Sequence, residues 1–159
     1  MKRKYIIISV VLFLLLLLAV FSYGYCEKRC EIGSVASRIM REIDNSSTEE
    51  CVIDLQNVTD FEWDKAVVVS ADFWCAGYSE ETISELWGFS YEVPKGFRSG
   101  LIFLNGDEIV YEEYYAADIE RSSEFNVSIY PMPYYRILKL DDCKVVGGEA
   151  EGRYSILVE

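Results

Sequence analysis

Hydrophobic residues are laid out in two ways along this chain. From Tyr5 to Tyr25 they form one unbroken block, YIIISVVLFLLLLLAVFSYGY, 21 residues without a charge. At ~1.5 Å of rise per residue, a helix of that length crosses a hydrocarbon core of ~30 Å. Beyond Tyr25 the apolar positions fall into short periodic groups separated by polar breaks, the pattern of a folded body.

Within the body, Ile32, Val35, Ile39, Met40 and Ile43 recur at helical spacing, with Arg38, Arg41 and Glu42 on the other side. NSSTEE (45–50) breaks that helix, and Val52–Leu55 reads as a short strand. Ala66–Val69 is a solid, mostly β-branched run, which suits a strand covered on both faces. Ser79 offers an N-cap followed by Glu80 and Glu81. Ile83, Leu86 and Trp87 then form a stripe, and Gly88 ends the helix.

Leu101–Leu104, Asn105-Gly106 and Ile109–Tyr111 predict a β-hairpin with a two-residue I′ turn, the second strand running on to Tyr115. Phe125–Tyr130, Tyr135–Leu140 and Tyr154–Val158 complete the strands, while Gly147-Gly148 reads as a turn. Strands outnumber helices and mostly follow one another directly. The expected fold is α+β: one curved antiparallel sheet of about five to seven strands, with one or two helices packed on a face, preceded by an N-terminal transmembrane helix. The expected division is an anchor or uncleaved signal at 1–25 and a single extracytoplasmic domain at 26–159, of which 26–33 is a short stalk.

Charge sets the orientation. Lys2, Arg3 and Lys4 precede the apolar run and all 27 acidic residues follow it, which leaves the N-terminus in the cytoplasm and carries the body across. The length of the run, with Phe21, Tyr23 and Tyr25 at its exit, favours a signal-anchor in a single-pass membrane protein. Cleavage after Ser22 or Gly24 is the alternative and would make the body a secreted protein. Only 12 of the 15 basic residues lie in the body, so it carries fifteen net negative charges. That repels phosphate backbones and excludes a nucleic-acid partner. The simpler meaning of the charge is solubility, and the sharper alternative is a basic protein partner or cationic substrate.

Five cysteines, Cys26, Cys30, Cys51, Cys75 and Cys143, allow disulfides in an oxidising compartment, the odd number leaving one over. A bridge among the last three would close a long loop. Three of the four asparagines begin glycosylation sequons, at Asn45, Asn57 and Asn126. In a eukaryote or its virus these would be acceptors on the exported side.

Catalytic chemistry is sparse. The chain has no histidine, which removes Ser-His-Asp and Cys-His catalysis, and it has no CxxC spacing for a metal. No phosphate-binding glycine motif exists, and no catalytic, cofactor-binding or metal residue is expected. In FEWDK, Glu62 and Asp64 share a strand face and could act as paired carboxylates with Asp72 nearby. The simpler reading makes Phe61 and Trp63 core anchors and Asp64 a turn cap or a partner of Lys65. Lys65 with Ser70 could form a Ser-Lys dyad, but nothing in the sequence places them together. Cys75 lacks a basic neighbour to activate it, so a disulfide partner or a buried thiol is expected. Glu112-Glu113 and Asp141-Asp142 read as solvated strand edges. Tyr114-Tyr115 and Tyr134-Tyr135 each point one ring inward and one outward.

The succession FEWDKAVVVSAD, GYSEETISELWGF and GLIFLNGDEIVYEEYY, from Ile53 to Tyr115, resembles small exported or membrane-tethered bacterial proteins of uncharacterised activity. Those share an aromatic-x-Trp-Asp-Lys strand, a short helix and a hydrophobic hairpin. Many carry Pro-Tyr where this chain has Asp72-Phe73. The resemblance implies location and fold, not chemistry, and a bacterial source would leave the sequons without meaning. The functional expectation is a membrane-tethered extracytoplasmic interaction or accessory module that is not an enzyme. The alternatives are a carboxylate-based hydrolase and an inhibitor or immunity protein that binds a basic partner.

Overall fold

The structure, a computed structural model, describes residues 33–92, 98–116, 124–131 and 134–158. In chain order these form α1 (Ser34–Asn45), β1 (Glu50–Asp54), α2 (Leu55–Val58), β2 (Lys65–Val69), α3 (Ala71–Cys75) and α4 (Glu80–Trp87). The strands β3 (Arg98–Asn105), β4 (Glu108–Ala116), β5 (Phe125–Ile129), β6 (Tyr135–Lys139), β7 (Lys144–Ala150) and β8 (Arg153–Val158) follow. The apolar run 5–25 lies outside the described residues, as does the expected stalk up to its last residue, Gly33. Among the described residues no helix is long and apolar enough to cross a membrane.

The fold is α+β with two four-stranded sheets, not the single antiparallel sheet expected from sequence. One has the order β4-β3-β2-β6, the other β1-β7-β8-β5. The first is antiparallel throughout, and in the second β5 runs parallel to β8. The reason lies in β2 and β3, which are apolar on both faces. Ala66, Val68, Leu101 and Phe103 join a core that also holds Phe125, Val127, Val145, Ile156 and the α1 residues Val35, Ala36, Ile39 and Ile43. Val67, Val69, Ile102 and Leu104 face the opposite way, into a layer of Phe73, Trp74, Ile83, Trp87, Phe89 and Tyr91. Each face must be removed from water, so the central pair is sandwiched between the second sheet with α1 and the aromatic layer of α3 and α4.

Local signals set several boundaries. Ser79 Oγ accepts the Thr82 N–H at 3.2 Å and so caps α4, which ends at Gly88 with φ 79° and its N–H on Ser84 O. The hairpin forms one residue later than the I′ reading: Asn105 pairs with Glu108, and the loop is Gly106-Asp107. Of the two, only Gly106 takes a positive φ, 63°. Asp64 Oδ2 accepts the Gly106 N–H at 3.0 Å and fixes the loop.

Gly147-Gly148 does not turn the chain. Both residues lie within β7, Gly147 opposite Cys51 on one side and Ile156 on the other. A Cβ at Gly147 would stand 2.5 Å from Ile53 Cδ1 and 2.9 Å from Ile43 Cγ1, so the glycine lets α1 settle on the sheet.

Among the described residues no disulfide is formed: Cys51, Cys75 and Cys143 are free thiols. In the β1–β7 ladder Cys51 pairs with Gly147, four positions along from Cys143, a separation of ~13 Å at ~3.3 Å per residue. A bridge needs Cα atoms within about 7 Å. Cys75 ends α3 on the far side of β2 and β3.

Candidate functional site

An open groove of about 610 Å³ lies beside the start of β2. Its wall begins in α2. Asp54 accepts the Gln56 N–H at 3.0 Å and starts that helix, and Gln56 Nε2 then donates to Leu140 O across the groove. Thr59 follows, its hydroxyl 3.1 Å from Leu55 O and accepting the Trp63 indole N–H at 2.9 Å. Trp63 is thereby buried with its polar atom satisfied. Phe61 is half-buried, stacked on Tyr111 at 5.0 Å between centroids and edge-on to Phe103 at 5.4 Å. Asp60, Glu62, Asn105 and Leu140 complete the lining.

The groove is electrostatically one-sided. Asp60 pairs with Arg38 from α1 at 2.5 Å, and Arg38 also donates to Val58 O at 3.3 Å. The guanidinium hydrogen bond and charge hold the Asp60 carboxyl below the usual carboxylate range. Both groups are solvated, so this pair orders the rim more than it stabilises the fold. Glu62 is exposed and has no partner among the described residues. Lys65 is the closest cation in sequence, but its Nζ sits 5.3 Å from the Phe89 ring centroid, on the aromatic-layer face of the sheet.

The other residues singled out by sequence do not converge on this groove. Asp64 is occupied with the Gly106 N–H. Asp72 lies beyond the other end of β2, in α3, so the three carboxylates Glu62, Asp64 and Asp72 share no pocket. Lys65 and Ser70 stand at opposite ends of that strand, ~16 Å apart at ~3.3 Å per residue, which excludes a dyad. Cys75 is exposed rather than buried, while Cys143 is buried, 3.2 Å from Asp54 Oδ1. Burial first, then Asp54, pushes the Cys143 thiol up, which disfavours a thiolate. Among the described residues no group of His, Cys, Asp or Glu is placed to hold a metal ion.

One polar centre escaped the sequence. Glu112 is exposed as expected of a strand edge, but Glu113 is buried. It accepts the Ala36 N–H at 2.8 Å, the Tyr111 hydroxyl at 2.7 Å and the Tyr115 hydroxyl. Tyr111 in turn accepts the Ser34 N–H at 3.0 Å. The carboxylate thus caps the positive end of α1, where Gly33 has no side chain to do so. Burial first, and then the Glu113 carboxylate, raise the Tyr115 pKa well above the ordinary phenol value. The signal was the alternation Tyr111, Glu113, Tyr115, which puts the glutamate between two rings on the inward face.

No protein-family profile, no curated protein and no solved structure matches this chain.

Proposed function

We propose that residues 5–25 hold this chain in a membrane, that its body lies outside the cytoplasm, and that the body is a non-catalytic module gripping a basic segment of a protein partner in the groove. One observation carries the reading: Glu62 lines the groove with no partner among the described residues, beside the rings of Phe61 and Trp63, while Arg38 at the rim is taken up by Asp60 and Lys65 by the Phe89 ring. A lysine or arginine side chain supplies both what the carboxylate lacks and an aliphatic stem for the rings. The fifteen negative charges of the body draw such a partner in. A hydrolase would need a second carboxyl in the groove held above its usual range. Asp60, the other carboxylate there, is shifted the opposite way.

The test is titration of the purified body with a short Arg/Lys-rich peptide, alongside crosslinking on intact cells to identify what co-purifies. Glu62→Lys should weaken peptide binding by about tenfold, near 1.4 kcal/mol, and added salt should weaken it further. Peptide binding that ignores both the substitution and the salt would refute the groove as the basic-partner site.

A further inference from the structure

We propose that Asn45, Asn57 and Asn126 are acceptors for N-linked oligosaccharide. Ser and Thr make up 18 of the 159 residues, so about one asparagine in nine should be followed by one of them two positions on. Here three of four are, at Asn45-Ser46-Ser47, Asn57-Val58-Thr59 and Asn126-Val127-Ser128, with no proline in the middle. The fourth, Asn105, precedes the hairpin glycine and has a local reason to be there.

The fold accommodates all three. Asn45 is the last residue of α1, Asn57 lies in α2, and Asn126 lies on the edge strand β5; each is exposed. In β5 the alternation sends Phe125, Val127 and Ile129 into the core and Asn126 outward. Among the described residues the one hydrogen bond of these side chains runs from Ser99 Oγ to Asn126 Oδ1 at 3.2 Å, and none engages an Nδ2. A glycan at any of the three displaces no buried group.

The co-reactant is a polyprenyl-diphosphate-linked oligosaccharide presented by a transferase on the exported side. The Asn Nδ2 bonds to C1 of the first sugar, the C1–O bond to the diphosphate breaks, the polyprenyl diphosphate leaves, and the amide gives up one proton. The inference rests on the extracytoplasmic placement proposed above and is independent of the groove.

The test uses the full chain isolated from its own membranes. Digestion with peptide N-glycosidase in ¹⁸O-water, followed by peptide mapping, should find labelled Asp at 45, 57 and 126. Asn→Gln at each site should remove one step of gel mobility shift while leaving the circular dichroism unchanged. Gln is substituted at 57 because Thr59 also serves the fold through Trp63. Unmodified asparagine at all three positions overturns the proposal. Protease added outside intact cells then shows what failed: a digested body leaves the placement standing without the glycans, and a protected body overturns both.

Discussion

Gly33→Ala is a small change with a large expected cost. Gly33 has φ −64° and ψ 167°, which any residue adopts, so backbone strain is not the issue. The issue is space. A Cβ there would fall 1.5 Å from Glu113 Oε2 and 2.5 Å from its Cδ. The buried carboxylate must withdraw, and the Ala36 N–H, the Tyr111 hydroxyl and the Tyr115 hydroxyl are loosened together. Hydrogen bonds to a charged group contribute about 1.5–3 kcal/mol each, and buried donors left unpaired add to the loss. Partial retention and the ~0.4–1 kcal/mol gained from a stiffer unfolded chain bring the expected net to about 3–5 kcal/mol. For a domain of this size that is roughly 10–20 °C in Tm. Thermal and urea unfolding by circular dichroism would measure it. The decisive control is a double-mutant cycle: in a Glu113→Ala background the clashes with Oε2 and Cδ are gone and only the 2.9 Å approach to the residue-113 Cβ remains, so Gly33→Ala should cost clearly less than in the parent. An equal cost in both backgrounds, or a Tm within a few degrees of the parent, would refute the reasoning.

Two further outcomes follow from the same core. Tyr111, Tyr114, Tyr115 and Tyr154 all have pKa values raised above the ordinary 10.0; burial is the main cause for the first three and the Asp44 hydrogen bond for Tyr154. Raised folded-state values favour the fold below the unfolded pKa, so stability should hold below about pH 10 and fall as pH rises beyond it. A phenolate absorbance titration of the folded protein should therefore show Tyr111, Tyr114 and Tyr115 ionising above the ordinary value, and ionisation of all three at that value without unfolding would contradict their burial. Gly147→Ala should cost about 1–3 kcal/mol by overpacking Ile53 and Ile43, and Ile53→Val, which removes the crowding Cδ1, should recover part of it in the double variant.

What sequence revealed was local. The N-cap at Ser79, the stop at Gly88 and the hairpin around Gly106 are each specified within a few residues, and all three formed. Ala66–Val69 announced its two buried faces by having no polar position, and Phe61 and Trp63 pack on the core as expected, though from the loop before β2 rather than from the strand that their spacing suggested. What sequence hid was partnership. Nothing within β5 says that it lies parallel to β8, because that choice depends on contacts between segments more than twenty residues apart. Gly147-Gly148 looks like a turn until Ile43 and Ile53 are seen pressing on it. Glu113 looks like surface until α1 arrives with a helix end to be capped. Beside the groove, Asp64 as a turn cap was legible, whereas at its rim the pairing of Asp60 with Arg38 joins two segments that only the fold brings together.

The groove and the first helix share their supports. Tyr111 stacks on Phe61, a groove residue, and its hydroxyl closes the network that caps α1. Arg38 extends from α1 to the groove rim, where it holds Asp60. Phe61 and Trp63 are both braced against Phe103, and Trp63 is locked further by Thr59. These rings have little rotamer freedom left to lose, so a ligand that settles on them incurs little ordering cost. The same contacts tie the groove to α1, the described helix closest in sequence to residues 5–25. Loosening Glu113 should then disturb the groove through Tyr111 as well as the helix, so binding and stability are expected to decline together in variants of that network.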